Sequence, residues 1–217
     1  MTQQKSLSIA ILTSLGLGMA AVSFSAQAIQ EGDMFMRFTA TQVAPSSSSD
    51  GFSGAPTVIP EADDSSTLGL TFVYMMSNNL GIEVLASLPF EHDITAGGTK
   101  IASTKQLPPT VSIQYYFNPA EKFRPYVGAG LNYTIFFNDN INADVAAGLG
   151  ISSDLELDDS FGLAVQAGFD YDINEKWFVN ADIRYINIET TATNSDIGSV
   201  DVDINPTVIS LGVGYKF

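Results

Sequence analysis

The sequence predicts an all-β protein, a transmembrane eight-stranded antiparallel up-and-down β-barrel. Apolar residues alternate with small or polar ones along eight segments, the pattern of strands with two different faces. Short turns and long loops alternate strictly between these segments, as they do in outer-membrane barrels. Aromatic residues gather near the segment ends, where such a barrel meets the two membrane interfaces. We therefore expect the protein to lie in the cell outer membrane.

The first residues predict a secretory signal. Lys5 precedes an apolar run, and Ala26 and Ala28 supply the small residues at alternate positions that a signal peptidase accepts. We expect residues 1–28 to be cleaved and residues 29–217 to form the barrel. A retained membrane anchor is the alternative, but glycines interrupt the run, which is short for a span of about 20 apolar residues.

Eight segments alternate as strands do, and each is long enough to cross a bilayer at a tilt, which takes about 9–11 residues. They are Met34–Val43, Thr67–Met76, Leu80–Phe90, Gln106–Phe117, Arg124–Phe137, Ser160–Ile173, Trp177–Ile188 and Ile204–Phe217. Three tight connections contain asparagines, which tolerate turn conformations, at 77–79, 118–123 and 174–176. Four longer ones, at about 44–66, 91–105, 138–159 and 189–203, have the composition of solvated loops. We place the tight turns in the periplasm and the loops outside the cell.

The apolar strand face is predicted to contact lipid. On the sixth strand Leu163 and Val165 oppose Gly162 and Gln166, so one face is bulky and apolar and the other small or polar. Two aromatic girdles are expected, Phe117, Tyr171, Trp177, Tyr215 and Phe217 near the turns and Phe90, Phe137 and Phe161 near the loops. A soluble sandwich with these aromatics in its core is the alternative. In lipid only a closed ring pairs every strand, because an unpaired backbone group costs several kcal/mol there.

Composition narrows the possible partners. The chain has no cysteine, so no disulfide holds it together outside the cytoplasm. Its formal net charge is −15, or about −16 once the signal with Lys5 is removed (−15 − 1). Nucleic acid is not expected as a partner, because binding it requires a clustered basic surface.

Several strings of the sequence resemble one family. They are "MFMRF", "LGLTFVYM", "LGIEVLASLPFEH", "LPPTVSIQYYF", "KFRPYVGAGLNYTIFF", "NIETTA" and "GVGYKF". Together they are similar to the OmpW family of small outer-membrane barrels, over essentially the whole mature chain. The resemblance implies an eight-stranded barrel with a hydrophobic interior passage and a role in the uptake of small hydrophobic molecules. It also implies that Leu85 narrows the interior, whereas Arg184 stands where a well-studied member has tryptophan.

Strand parity predicts which side chains point into the lumen. The inward polar residues are Arg37, Glu83, Gln114, Asn132, Gln166, Asn180, Asp182, Arg184 and Lys216. An eight-stranded barrel is only about wide enough for side chains to fill. Arg37, Arg184, Glu83 and Asp182 are therefore expected to pair as a network that plugs the lower half, and no continuous ion channel is expected.

The prediction for function is passive diffusion of small hydrophobic molecules, with sideways exit into the membrane. Pro108 and Pro109 cannot donate ladder hydrogen bonds at the extracellular start of the fourth strand, so we predict a lateral seam there between strands three and four. The alternative reading of these prolines is that they only begin the strand. The third loop mixes acidic and apolar residues, which predicts either an amphipathic cap or funnel or a solvated loop bridged to surface lipid by divalent cations.

The alternative function is a non-transporting barrel that acts as a structural protein, adhesin or receptor through its acidic extracellular loops. Outer-membrane lipids, lipopolysaccharide and small hydrophobic solutes are the expected partners, and the barrel is expected to be a monomer. His92 is the only histidine, and Ser87 or Ser103 could serve beside it as a nucleophile. Nothing in the spacing selects one, so we predict no enzyme, no catalytic residue, no cofactor and no metal site.

Overall fold

The computed structural model of the protein describes residues 28–217. The predicted signal, apart from its last residue, lies outside them and stays a prediction. The described chain forms one short helix, α1 (Ala143–Leu149), and a series of strands. The strands are β1 (Met34–Ala44), β2 (Ser48–Ser49), β3 (Glu61–Ala62), β4 (Ser65–Met75), β5 (Leu80–Ser87), β6 (Phe90–Ala96), β7 (Thr99–Leu107), β8 (Thr110–Tyr116), β9 (Phe123–Ile141), β10 (Glu156–Leu157), β11 (Ser160–Asp172), β12 (Trp177–Ile186), β13 (Glu189–Asn194), β14 (Gly198–Asp203) and β15 (Thr207–Lys216).

Eight of these strands close into an antiparallel barrel, which confirms the predicted fold class. The ring runs β1, β4, β5, β8, β9, β11, β12, β15 and back to β1. Closure shows in the first strand, where Phe38 lies opposite Leu70 of β4 and Val213 of β15. Every barrel strand therefore has two hydrogen-bonded neighbours, which is what a sheet in hydrocarbon requires. Among the described residues no helix is long and apolar enough to cross a membrane.

The two faces of the barrel wall have the predicted orientation. Leu163 and Leu211 are 65% and 62% exposed on the outside, whereas Gln166 and Ser210 are 6% and 7% exposed on the inside. Exposed apolar side chains cover the outer surface continuously, a pattern that a soluble protein rarely shows over such an area. The outer face therefore meets lipid.

We expect single cysteines to report this orientation without interference, because the chain has none of its own. A lipid-soluble thiol reagent should label Leu131→Cys, Leu163→Cys and Leu211→Cys in membranes. Asn132→Cys, Gln166→Cys and Ser210→Cys should remain largely unlabelled, since their side chains face inward. Labelling by mass spectrometry checks this, and the opposite pattern would contradict the lipid-facing orientation.

All four predicted long loops contain strands, and two of them consist largely of a paired hairpin. β6 and β7 pair as a hairpin across the region predicted as the loop 91–105, and β13 and β14 form another within 189–203. Inward apolar residues stabilise both hairpins beyond the membrane, among them Ile94 and Ala102 in one and Ala192 and Val200 in the other. Their polar outer residues gave these segments the composition of loops.

Phe90 does not belong to the outer girdle, so this prediction is also wrong. It is buried inside the barrel mouth against Phe136 and Ile188. Leu88 and Pro89 separate β5 from β6 and shift the alternation by one residue, so the side chains of both Ser87 and Phe90 turn inward. A single interruption thus converts a predicted lipid contact into part of the interior.

Candidate functional site

The extracellular hairpins enclose an apolar cavity of about 340 Å³. Ile94 and Ala102 line it from the β6–β7 hairpin, and Ala192 lines it from β13. Its walls are almost wholly hydrocarbon, so it offers an apolar solute an environment free of unsatisfied polar groups. The cavity lies where the long loops were predicted.

Helix α1 covers one side of this cavity. Val145 and Leu149 line it, while the Asn142 side chain caps the helix by accepting a hydrogen bond of 2.9 Å from the Asp144 amide. Acidic residues of the same segment face outward, Asp144 among them. Of the two readings of the third loop, the amphipathic cap therefore matches the structure.

An apolar cluster narrows the barrel beneath the cavity. Its buried members are Val43, Phe90, Phe136, Ala164, Ile186, Ile188, Ile204 and Val208. Ile204 also lines the cavity, and Phe90 and Ile188 line a second, much smaller chamber of about 20 Å³. The cluster thus connects two apolar spaces along the barrel axis.

The small chamber contains the residue expected to narrow the interior. Leu85 lines it together with Ser87 and Pro108, and Arg184 and Gln106 are its polar lining residues with long side chains. Arg184 therefore stands beside Leu85 in the interior. Its charge is compensated by a 2.9 Å ion pair between its Nη2 and Glu83 Oε1.

A buried polar network fills the barrel below this chamber. Arg37 donates from Nε and Nη2 to Asp170 at 3.1 and 2.9 Å, and from Nη1 to Glu83 at 3.1 Å. Its guanidinium also donates to the Tyr116 hydroxyl at 2.6 Å and lies 4.8 Å from the centre of the Tyr126 ring. Arg37 is 1% exposed, so this charge depends entirely on its partners.

Glu83 joins the two arginines of this network. Its carboxylate accepts hydrogen bonds from Arg37 and Arg184 and from the amide groups of Gln114 and Gln166, at 2.5 to 3.1 Å. Every contact reaches Glu83 from another strand, so the network ties opposite sides of the barrel together.

The predicted membership of the network needs one correction. Asp182 forms no hydrogen bond through its buried Oδ1 and no ion pair among the described residues, and Asp170 pairs with Arg37 in its place. Asn180 supports Asp170 with a hydrogen bond of 2.9 Å. Asp170 lies four residues after Gln166 on the inward face of β11, so parity could have identified it.

A second ionic group lies toward the periplasmic end. Arg124 donates to Asp172 from both terminal nitrogens at 2.6 Å, and Lys216 donates to the same carboxylate at 2.7 Å. Phe178 packs beneath the Arg124 guanidinium at 5.8 Å. The lower half of the barrel is therefore packed with paired charges and aromatic rings.

The wall contains a break in its hydrogen-bond ladder beside the small chamber. Pairing of β5 with β8 ends at Leu85 opposite Thr110, and pairing of β6 with β7 begins only at Phe90 opposite Gln106. Pro108 lies in the gap and, like its neighbour, has no amide hydrogen to donate.

The two prolines separate β7 from β8. Pro109 directly precedes Thr110, the first residue of β8, and β7 continues the same arm beyond Pro108. The Asn132 side chain donates to the carbonyl oxygens of Pro108 and Pro109, each at 3.2 Å, and to Thr110 Oγ1 at 3.0 Å. One buried amide thus holds the interrupted segment in place.

His92 lies beside the cluster, on the inner face of β6. Its Nδ1 is 2.7 Å from the Asp63 carbonyl oxygen, and its Nε2 is 2.9 Å from the amide nitrogen of Gln106. Burial lowers the pKa of His92 below its usual value, although the Asp63 carbonyl and nearby carboxylates oppose that effect. Neither ring nitrogen contacts a serine hydroxyl, so the geometry gives no support to the triad considered from the sequence.

The sequence and the fold are both similar to known outer-membrane proteins. The OmpW family matches residues 30–217. Outer membrane protein W of Vibrio cholerae is 47% identical over 158 residues, 68% of this chain and 71% of that protein. The protein of the same name from Escherichia coli K12 is 44% identical over 141 residues, 64% of this chain and 65% of its own.

Two solved structures agree with these matches. The crystal structure of OprG from Pseudomonas aeruginosa superposes with a TM-score of 0.82 at 37% identity and covers 88% of this chain and 99% of its own. The NMR structure of the E. coli outer membrane protein W has a TM-score of 0.57 at 40% identity. The match covers 87% of this chain and 99% of the E. coli chain. The chain is therefore an outer-membrane β-barrel and belongs to the OmpW family.

Proposed function

We propose that this barrel passes small hydrophobic molecules by passive diffusion from the cell surface into the outer membrane, leaving through the wall. The observation that carries the proposal is the succession of spaces along the axis. The apolar cavity of about 340 Å³ leads past the apolar cluster to the chamber beside the ladder break, directly above the buried ionic network. A solute on this path meets mostly apolar side chains until it reaches the break.

Exit through the wall is favoured because passage down the barrel into the periplasm would cost more free energy. Below the chamber a solute would have to displace Arg37, Glu83 and Arg184 from their partners, and a buried charge that loses its partner costs about 3–5 kcal/mol. Transfer into lipid instead gains about 25 cal/mol for each Å² of apolar surface removed from water. The interrupted ladder needs no hydrogen bonds broken across the gap between Leu85 and Phe90.

Filling the apolar cavity should abolish uptake. We expect Ala102→Trp and Ala192→Trp to lower the uptake of a small alkane or arene to the rate of a deletion strain, because each new indole would occupy space that solute needs. Initial uptake of the labelled compound into cells checks this. Ala167→Trp is the matched control, since Ala167 faces lipid and should leave uptake at the wild-type rate.

Each variant should first be shown to fold, by the mobility of the unheated barrel on a denaturing gel. Unchanged uptake in folded Ala102→Trp and Ala192→Trp strains would contradict passage through the cavity. If the deletion strain also takes up the compound normally, hydrophobic uptake is not the function.

The alternative remains a structural, adhesin or receptor role. The outer end of the barrel is strongly acidic, and the exposed pairs Lys100 with Asp93 and Lys105 with Glu91 neutralise only part of that charge. Deletion of the β13–β14 hairpin that abolished attachment or envelope integrity, with normal uptake, would favour this role. The expected partners, lipopolysaccharide and outer-membrane lipid, the monomeric state and the absence of catalysis stay predictions.

A further inference from the structure

Two buried polar atoms of the small chamber have no hydrogen-bond partner among residues 28–217. They are Oε1 of Gln106 and Nη1 of Arg184, and both side chains line the chamber. Gln106 is 2% exposed and Arg184 is 3% exposed, so bulk water does not satisfy these atoms. A buried polar group left unpaired costs about 1–3 kcal/mol, which favours a ligand or water that pairs with it.

The orientation of the Gln106 amide follows from its neighbour. His92 Nδ1 faces a carbonyl oxygen at 2.7 Å and must donate its hydrogen there. In the neutral ring Nε2 is then an acceptor, and the Gln106 amide nitrogen donates to it at 2.9 Å. The amide oxygen is consequently the atom left free, and it is an acceptor.

Arg184 supplies a hydrogen-bond donor to the same chamber. Its Nη2 is engaged by Glu83 at 2.9 Å and by Gln166 at 2.8 Å, and these contacts hold the guanidinium in place. Nη1 remains free to donate. The chamber therefore has one buried donor and one buried acceptor without a partner among the described residues. Its other walls are mostly apolar and include the hydroxyl-bearing residues Thr41, Ser87 and Ser210.

Size and charge limit what can pair with both atoms. The chamber of about 20 Å³ has room for a group the size of one water molecule, which needs about 10–15 Å³. A carboxylate is disfavoured, because Glu83, Asp170 and Asp182 already balance or exceed the charges of the two arginines. A hydroxyl is small and neutral, and it both accepts and donates.

We propose that this chamber binds the hydroxyl end of small apolar alcohols, so that hydrophobic molecules with a single hydroxyl are preferred solutes. Arg184 Nη1 donates to the hydroxyl oxygen, and the hydroxyl donates to Gln106 Oε1. The apolar tail lies along the cluster that includes Phe90 and Ile188. This inference rests on the proposed function and adds a solute class to it.

The test compares two isomers, 1-hexanol and 1-methoxypentane, as labelled compounds taken up by cells. Both can accept from Arg184, but only the alcohol can donate to Gln106. After subtraction of the deletion-strain rate, we expect wild-type cells to favour the alcohol about fivefold, the value of one hydrogen bond of about 1 kcal/mol. Gln106→Met should reduce that ratio to about one.

The matched control is Gln42→Met, because Gln42 is exposed on the outside of β1 and should leave the ratio unchanged. A wild-type ratio near one would mean that the chamber holds only water, and it would overturn the inference even if Gln106→Met failed to fold. A preserved ratio in folded Gln106→Met would also overturn it. If the barrel takes up the ether and the alcohol equally, the proposed uptake of hydrophobic molecules is still supported and only the preference for alcohols is overturned. If the barrel takes up neither compound, the proposed function and this inference are both contradicted.

Discussion

Replacement of Arg37 by methionine should destabilise the barrel more than any other single change discussed above. Asp170 would lose its bidentate partner and be left as a buried carboxylate without a cation, while Glu83 would keep only Arg184 of its two arginines. Removing one member of a buried ion pair costs about 3–5 kcal/mol. Urea titration of the barrel refolded into lipid vesicles measures this, with the free energy of unfolding as the readout.

Two further variants separate the charge effect from a general effect of the substitution. Lys176→Met removes an exposed lysine in the last periplasmic turn and should change stability by less than about 0.5 kcal/mol. Arg37→Met combined with Asp170→Leu removes both members of the pair and should recover much of the lost stability. A single Arg37→Met variant as stable as Lys176→Met would show that the network does not support the barrel.

The second large effect is expected at the ladder break. Joint replacement of Pro108 and Pro109 by valine supplies two amide hydrogens and two residues that favour strands, while the carbonyl oxygens that accept from Asn132 remain. We expect β7 and β8 to become continuous and to pair across the gap. Uptake of an apolar solute should then fall toward the deletion-strain rate.

Pro206→Val provides the control for this experiment. Pro206 lines the same small chamber but precedes β15, on another side of the barrel, so its replacement should preserve uptake. Wild-type uptake by the folded double variant would contradict exit between β5 and β8. If hydrogen exchange also showed protected amides at both new valines, lateral release at this position would be excluded.

For every uninterrupted strand, the sequence correctly predicted which alternate side chains face lipid and which face the interior. Leu131 and Leu163 face lipid and Asn132 and Gln166 face inward, as alternation predicts. The prediction failed at Phe90, because Leu88 and Pro89 shift the register and nothing local shows by how much. The interior candidates Arg37, Glu83 and Gln114 were also identified, since parity is a property of each strand alone.

The partners of those interior residues could not be predicted. Arg37 on β1 and Asp170 on β11 belong to strands that are not neighbours in the ring, and they meet only across the lumen. Asp182 has the same parity as Asp170 but lies at a different height, and Oδ1 of Asp182 is left without a partner. To predict whether Asp170 or Asp182 pairs with Arg37, one would need the register of every strand between β1 and β11 in the ring.

The sequence by itself determined the number of barrel strands, the lipid-facing side and many of the polar residues inside, because alternation and turn length are local properties. Tertiary structure alone decided which charges pair, that the outer hairpins enclose an apolar cavity, and that the wall is interrupted beside Leu85. These features depend on barrel closure and register, which bring distant strands to one height. The physical reason is that the alternation of its own strand sets the direction of a side chain. The residues that it contacts depend on the register of all the other strands in the closed barrel.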